Sequence, residues 1–197
     1  MARKANKVLT RATLGALCAL LAGGITAVAG PVASATPAAP GPAGAGEVAA
    51  FAVPPHRIIN RNSYKCLDIK YGDTSEGAQS DETYVVQRRC DYRRYSQIWT
   101  GDYYGGDEYL VRHGYSDKCL DVTGAYDAYL VLHHCDHYRV TQRWHITGVG
   151  RGDHVFYNPA TDMCMGVYRS DREDGAYVVT EYCDNYKKNQ RWFAGRA

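Results

Sequence analysis

Cys119-Leu120-Asp121-Val122, then Leu130-Val131-Leu132, then Cys135-Asp136, then Gln142-Arg143-Trp144: the chain writes this stretch three times. Upstream it reads Cys66-Leu67-Asp68-Ile69, Val85-Val86-Gln87, Cys90-Asp91 and Gln97-Ile98-Trp99. Downstream it reads Cys164-Met165-Gly166-Val167, Val178-Val179-Thr180, Cys183-Asp184 and Gln190-Arg191-Trp192. In every copy the second cysteine stands seven residues before Gln and nine before Trp, and successive Trp are 45 and 48 residues apart. A fixed period of this size means related supersecondary units that share a core.

Each copy also has a front half. Arg57-Ile58-Ile59-Asn60, Tyr109-Leu110-Val111-Arg112 and Val155-Phe156-Tyr157-Asn158 precede the three first cysteines at similar distances. Each unit therefore reads as four short apolar runs divided by Gly, Asp, Asn and Ser, which are strand and turn signals. One such unit cannot bury its own apolar face. Three units closing on one another can, and closure also removes sheet edges.

C-L-D-(I/V), a V-V-Q run, a second Cys and a Q-x-W, three times in register, resemble the ricin B-type lectin domain. The resemblance covers about Arg57 to Arg196. It implies an all-β fold: a β-trefoil over residues 56–197, with repeats at about 56–107, 108–152 and 153–197. It implies one disulfide and one Q-x-W per lobe, and the binding of a glycan or polysaccharide without catalysis.

The N-terminus reads as something else. Arg3, Lys4, Lys7 and Arg11 form a basic head, Ala12 to Ala29 is apolar, and Ala33-Ser34-Ala35 fits a small-residue cleavage site. This predicts a signal peptide over 1–35 and a secreted, extracellular protein, not a membrane-inserted one. An Ala/Pro/Gly-rich leader follows over 36–55, too poor in bulky apolar residues to fold. The signal takes four basic residues with it, leaving 19 Lys and Arg against 21 Asp and Glu. No net charge then argues for nucleic acid as a partner. The local run Arg88-Arg89 and Arg93-Arg94 reads as a solvated loop.

Of the seven cysteines, Cys18 falls in the signal. The other six, an even number in an exported chain, read as disulfides. The repeat selects within-lobe pairing: Cys66 with Cys90, Cys119 with Cys135, Cys164 with Cys183. No C-x-x-C supports a metal, and the dense His133-His134-Cys135-Asp136-His137 loses Cys135 to a disulfide. No cofactor and no metal is expected. There is no G-x-S-x-G, H-E-x-x-H or phosphate loop, so no enzyme is expected.

The resemblance points to Asp68 and Asp121 as acceptors of sugar hydroxyls, which a carboxylate suits. The other reading is that each caps a local turn. The third copy has Gly166 there, and that lobe is expected to lack an acceptor. The family's aromatic platform, two residues before the second Cys, is replaced by Arg88, His133 and Glu181. His133 and Arg88 could still stack. Gln97 and Gln142 are expected to support the site from behind, and Trp99, Trp144 and Trp192 to be core. The second lobe, with Asp121, His133 and Gln142, is expected to bind sugar best; Asp68, Arg88 and Gln97 form the first-lobe counterpart.

Tyr84, Tyr129 and Tyr177 stand six residues before each second Cys. Whether they pack or bind stays open. Seventeen Tyr against three Phe give a tyrosine-rich loop surface, which suits recognition. It carries the alternative function: a secreted β-trefoil protein-interaction module or inhibitor that has lost sugar binding.

Overall fold

The computed structural model describes residues 55–74, 80–116 and 118–197. The expected signal peptide, and all but the last residue of the expected leader, lie outside the described residues. Among the described residues there are twelve strands, four per repeat. The first lobe holds β1 (His56–Asn60), β2 (Cys66–Ile69), β3 (Thr83–Arg88) and β4 (Trp99–Gly105). The second holds β5 (Glu108–His113), β6 (Lys118–Val122), β7 (Leu130–His134) and β8 (Arg143–Gly148). The third holds β9 (His154–Asn158), β10 (Met163–Val167), β11 (Val178–Glu181) and β12 (Trp192–Arg196).

The first and last strands of each lobe pair in a ring. β1 pairs β4, β4 pairs β5, β5 pairs β8, β8 pairs β9, β9 pairs β12, and β12 returns to β1, every pair antiparallel. This is a closed six-stranded barrel without a free edge. The middle strands of each lobe form hairpins, β2 with β3, β6 with β7 and β10 with β11. The three hairpins touch through a β3–β7 pairing and the bridges Val86–Tyr177 and Tyr129–Val179. Barrel plus a triangular hairpin cap is a β-trefoil, the all-β fold that the repeat implies.

The repeat's spacing serves the core. Trp99, Trp144 and Trp192 are fully buried in one cluster with Ile58, Val111, Ile146 and Phe156. Each indole N–H donates to the carbonyl of the residue after the first cysteine: Leu67 at 3.0 Å, Leu120 at 3.1 Å and Met165 at 3.1 Å. A buried indole needs such an acceptor, since an unpaired N–H would cost what the ring's apolar burial gains. One Trp thus ties the barrel to the hairpin within each lobe. The disulfides are Cys66–Cys90, Cys119–Cys135 and Cys164–Cys183. Each closes a lobe's own loop, as the repeat implies.

Tyr84, Tyr129 and Tyr177 meet where the three hairpins converge. Their ring centroids lie 5.3, 5.5 and 5.0 Å apart in pairs. Equivalent residues in mutual contact mark the pseudo-threefold axis. They pack on one another while Tyr84 and Tyr129 keep an exposed face.

Candidate functional site: a carboxylate held by a buried glutamine in each lobe

Alternation on β2, β6 and β10 fixes what can face the site. Leu67 and Ile69 point to the core, so Cys66 and Asp68 point the other way. Cys66 pairs with Arg88, Cys119 with His133 and Cys164 with Glu181. The residue two beyond each cysteine is therefore a diagonal, same-face neighbour of the residue on the facing strand. That geometry turns Arg88, His133 and Glu181 towards the carboxylate position. Both side chains are engaged at their polar ends. The His133 Nδ1–H donates to Asp121 Oδ2 at 3.0 Å, and Arg88 donates to the Lys70 carbonyl.

Beneath each carboxylate sits the glutamine of Q-x-W, wholly buried in all three lobes. Its Nε2 donates to Asp68 Oδ2 at 3.0 Å, to Asp121 Oδ2 at 3.1 Å and to Glu181 Oε2 at 2.9 Å. The same amide also donates to the carbonyl of Arg89, His134 or Tyr182. Its oxygen accepts the backbone N–H of Asp91, Asp136 or Asp184, the residue after the second cysteine, at 2.8–2.9 Å. Gln97, Gln142 and Gln190 are thus spent on the frame. They aim the carboxylate and leave nothing for a ligand.

The third lobe departs from expectation. Gly166 offers no side chain, yet the lobe does not lack an acceptor. Glu181 reaches across from β11 and puts its own carboxylate where an aspartate would stand. A Cβ on Gly166 would lie 2.9 Å from Glu181 Oε2 and 3.1 Å from Gln190 Cγ, so the glycine makes the room that the glutamate fills. Asn189 Nδ2 also donates to Glu181 Oε2, at 2.9 Å. Sequence reasoning missed this because the carboxylate moved to the facing strand. The signal was present as a paired change: Gly where the other lobes have Asp, and Glu where they have Arg and His.

The lobes also differ in what lies over the carboxylate. Asp121 is fully buried, with Arg139 Nε at 2.7 Å from Oδ2, and its Oδ1 is buried without a hydrogen bond. Asp68 is fully buried as well, with Arg94 at 3.7 Å and Arg88 at 3.9 Å. Arg94 and Arg139 each stand four residues after the second cysteine, and Lys187 holds that place in the third lobe. Among the described residues no cation pairs with Glu181. The residue is partly exposed, and its Oε1 carries no hydrogen bond to them.

Beside Asp121 a concavity of about 400 Å³ is lined by His133, Asp136, His137, Tyr138 and Arg139. Tyr138 and its third-lobe counterpart Tyr186 are each 89% exposed. Each is positioned by the Asp after the second cysteine, whose Oδ1 accepts the tyrosine's backbone N–H. These rings follow the second cysteine, whereas His133 and Glu181, two residues before it, face the carboxylate position. Among the described residues, no group of three or more His, Cys, Asp or Glu is placed to hold a metal ion, and no helix is long and apolar enough to cross a membrane.

A closed barrel with three hairpins, each presenting a glutamine-held carboxylate, defines a β-trefoil of the lectin type. The chain belongs to the ricin-type beta-trefoil lectin domain family, whose model matches residues 54–192. Among solved structures it is similar to a designed threefold-symmetric protein, ThreeFoil, with a TM-score of 0.65 and 22% identity over 73% of this chain and 99% of that one. It is similar to a ricin B-like lectin of Macrolepiota procera solved with lactose, with a TM-score of 0.58 and 17% identity over 74% and 97%. An exo-β-1,3-galactanase of Clostridium thermocellum matches with a TM-score of 0.63 and 22% identity over 73% of this chain, which spans 30% of that enzyme. At these identities the likeness establishes the fold alone. Among the curated proteins none matches the chain.

Proposed function

We propose that the chain is a secreted, non-catalytic carbohydrate-binding module, and that its third lobe holds the open sugar site. The observation that carries this is the Glu181 carboxylate. One oxygen is fixed by Gln190 and Asn189 and the other is unpaired. A carboxylate oxygen so aimed accepts two hydrogen bonds, and neighbouring sugar hydroxyls present donors at that spacing. Tyr186 on the adjoining loop offers an exposed ring for the sugar's apolar face. The M. procera relative is a lectin solved with lactose, which supports glycan as the ligand class. Three within-lobe disulfides suit an oxidising, extracellular setting. Asp68 and Asp121, by contrast, lie under arginines.

A glycan array tests the reading. Signal on one or more glycans, removed by the free sugar, is the expected result. A blank array with folded protein contradicts it, and capture of a defined protein instead would support the protein-interaction alternative.

A further inference from the structure

The first lobe differs from the third in the charge around its loop. Its loop carries Arg88, Arg89, Arg93 and Arg94 around a concavity of about 590 Å³. A fifth guanidinium, Arg57, lies directly beneath. Arg57 is 1% exposed, and it donates to the carbonyls of Asp91 at 3.0 Å and Arg94 at 3.4 Å. No carboxylate among the described residues pairs with it.

The carboxylates nearby are already engaged. Asp174 takes Lys65 at 2.5 Å and the Arg89 backbone N–H at 2.7 Å. Asp91 takes the backbone and side chain of Arg93. Asp68 sits between Arg88 and Arg94, neither close enough to hydrogen-bond it. Arg88 Nε is buried without a hydrogen bond. Among the described residues the Arg89 and Arg94 guanidiniums make no hydrogen bond either. Donors therefore outnumber acceptors in the concavity: four guanidiniums stand against the Oδ2 atoms of Asp91 and Asp174, whose Oδ1 atoms are taken. Guanidinium groups satisfy that imbalance by taking a planar or tetrahedral oxyanion through paired N–H contacts. The equivalent stretch of the third lobe, Glu181 to Lys187, contains no arginine, and that of the second contains Arg139 alone.

We propose that the first lobe binds an acidic saccharide, one bearing a carboxylate or sulfate group, with Arg88, Arg89 and Arg94 as its anion-contacting residues. This rests on the reading of the chain as a carbohydrate-binding module.

The test is calorimetric titration of the full chain with four probes: an oligogalacturonide, a sulfated galactan oligosaccharide, a neutral galactan oligosaccharide and oligothymidylate. Binding of either acidic saccharide is expected, weakened by salt. Arg89→Gln and Arg94→Gln should each lower that affinity about tenfold, with unchanged binding of any neutral saccharide and, for the exposed Arg89, an unchanged unfolding midpoint. The uronide and sulfate arms show which acidic group is read. Unaltered affinity in both arginine variants overturns the proposal, and so does oligothymidylate binding as tightly as the saccharide. Neutral saccharide bound through Glu181 while neither acidic one binds overturns this proposal and leaves the carbohydrate-binding reading standing. No binding of any saccharide removes both.

Discussion

The second and third lobes hold their carboxylates in the same place from opposite strands. Asp121 rises from β6 and Glu181 crosses from β11, yet the same glutamine grips each at 3.1 and 2.9 Å. What differs is the lid. Arg139 lies on Asp121 at 2.7 Å, whereas Glu181 is held by two neutral amides. A buried carboxylate needs compensation for lost hydration, and a nearby guanidinium supplies it at the expense of access. A partly exposed carboxylate keeps water on its free oxygen and keeps that oxygen for a ligand. The lesson is that counting the acids that repeat from lobe to lobe misjudges such a site; what stands on the acid decides whether it is available.

The comparison assumes that the lobes share one scaffold and differ only at the surface. Truncating the buried indoles tests that. Trp99→Ala, Trp144→Ala and Trp192→Ala should each cost about 3–5 kcal/mol in urea denaturation. A single lobe that tolerates the change would break the threefold equivalence on which the site comparison stands.

Exchanging the acid between strands comes next. Gly166→Asp should destabilise by about 1–3 kcal/mol, because the new side chain meets Glu181 and places two carboxylates together. Adding Glu181→His converts the lobe to the second-lobe pattern and should recover most of that loss. A denaturation cycle on the two single variants and the double variant gives the coupling. Simple additivity would mean the two positions do not share one carboxylate site.

Arg139→Ala sharpens the comparison from the other side. It should uncover Asp121 and add one weak sugar site per chain, read as stoichiometry in a titration, at a stability cost of about 1–3 kcal/mol because the buried carboxylate loses its guanidinium. No added site would mean that the guanidinium is not what closes the second lobe.

A smaller difference between lobes concerns pH. Asn60 and Asn158 donate side-chain N–H groups to the carbonyls of Asn189 at 2.8 Å and Thr141 at 2.9 Å. His113 does the same job for Ser96 at 3.1 Å through Nε2. A carbonyl only accepts, so Nε2 carries the hydrogen, and Nδ1 takes the Ser116 hydroxyl. Burial pushes the His113 pKa below its ordinary 6.5. The native state keeps the ring neutral while the unfolded chain protonates first. The contribution is therefore present above about 6.5 and lost as pH falls through the lowered native value. His113→Asn should flatten the decline in unfolding free energy on acidification; an unchanged slope would place the titration elsewhere.

The fold was legible because its determinants are local and repeated. Cys, Gln and Trp recur at fixed offsets since each lobe must tie its own hairpin to the barrel. Asp68 and Asp121 were legible as candidate acceptors through the family resemblance, which singles out the acid after Cys-Leu. Glu181 was not, because its role depends on the pairing of Cys164 with Glu181 across β10 and β11, a register no single strand reveals. Arg94 and Arg139 were visible at one offset from the second cysteine. Only the folded loop shows that they turn back onto the carboxylates.

Calorimetric titration of the best neutral array ligand into the parent, Glu181→Gln and Asp121→Asn tests the central claim most directly. Glu181→Gln should weaken binding about tenfold, and Asp121→Asn should leave it close to the parent. Full affinity in Glu181→Gln together with loss in Asp121→Asn would contradict the account and return the site to the second lobe.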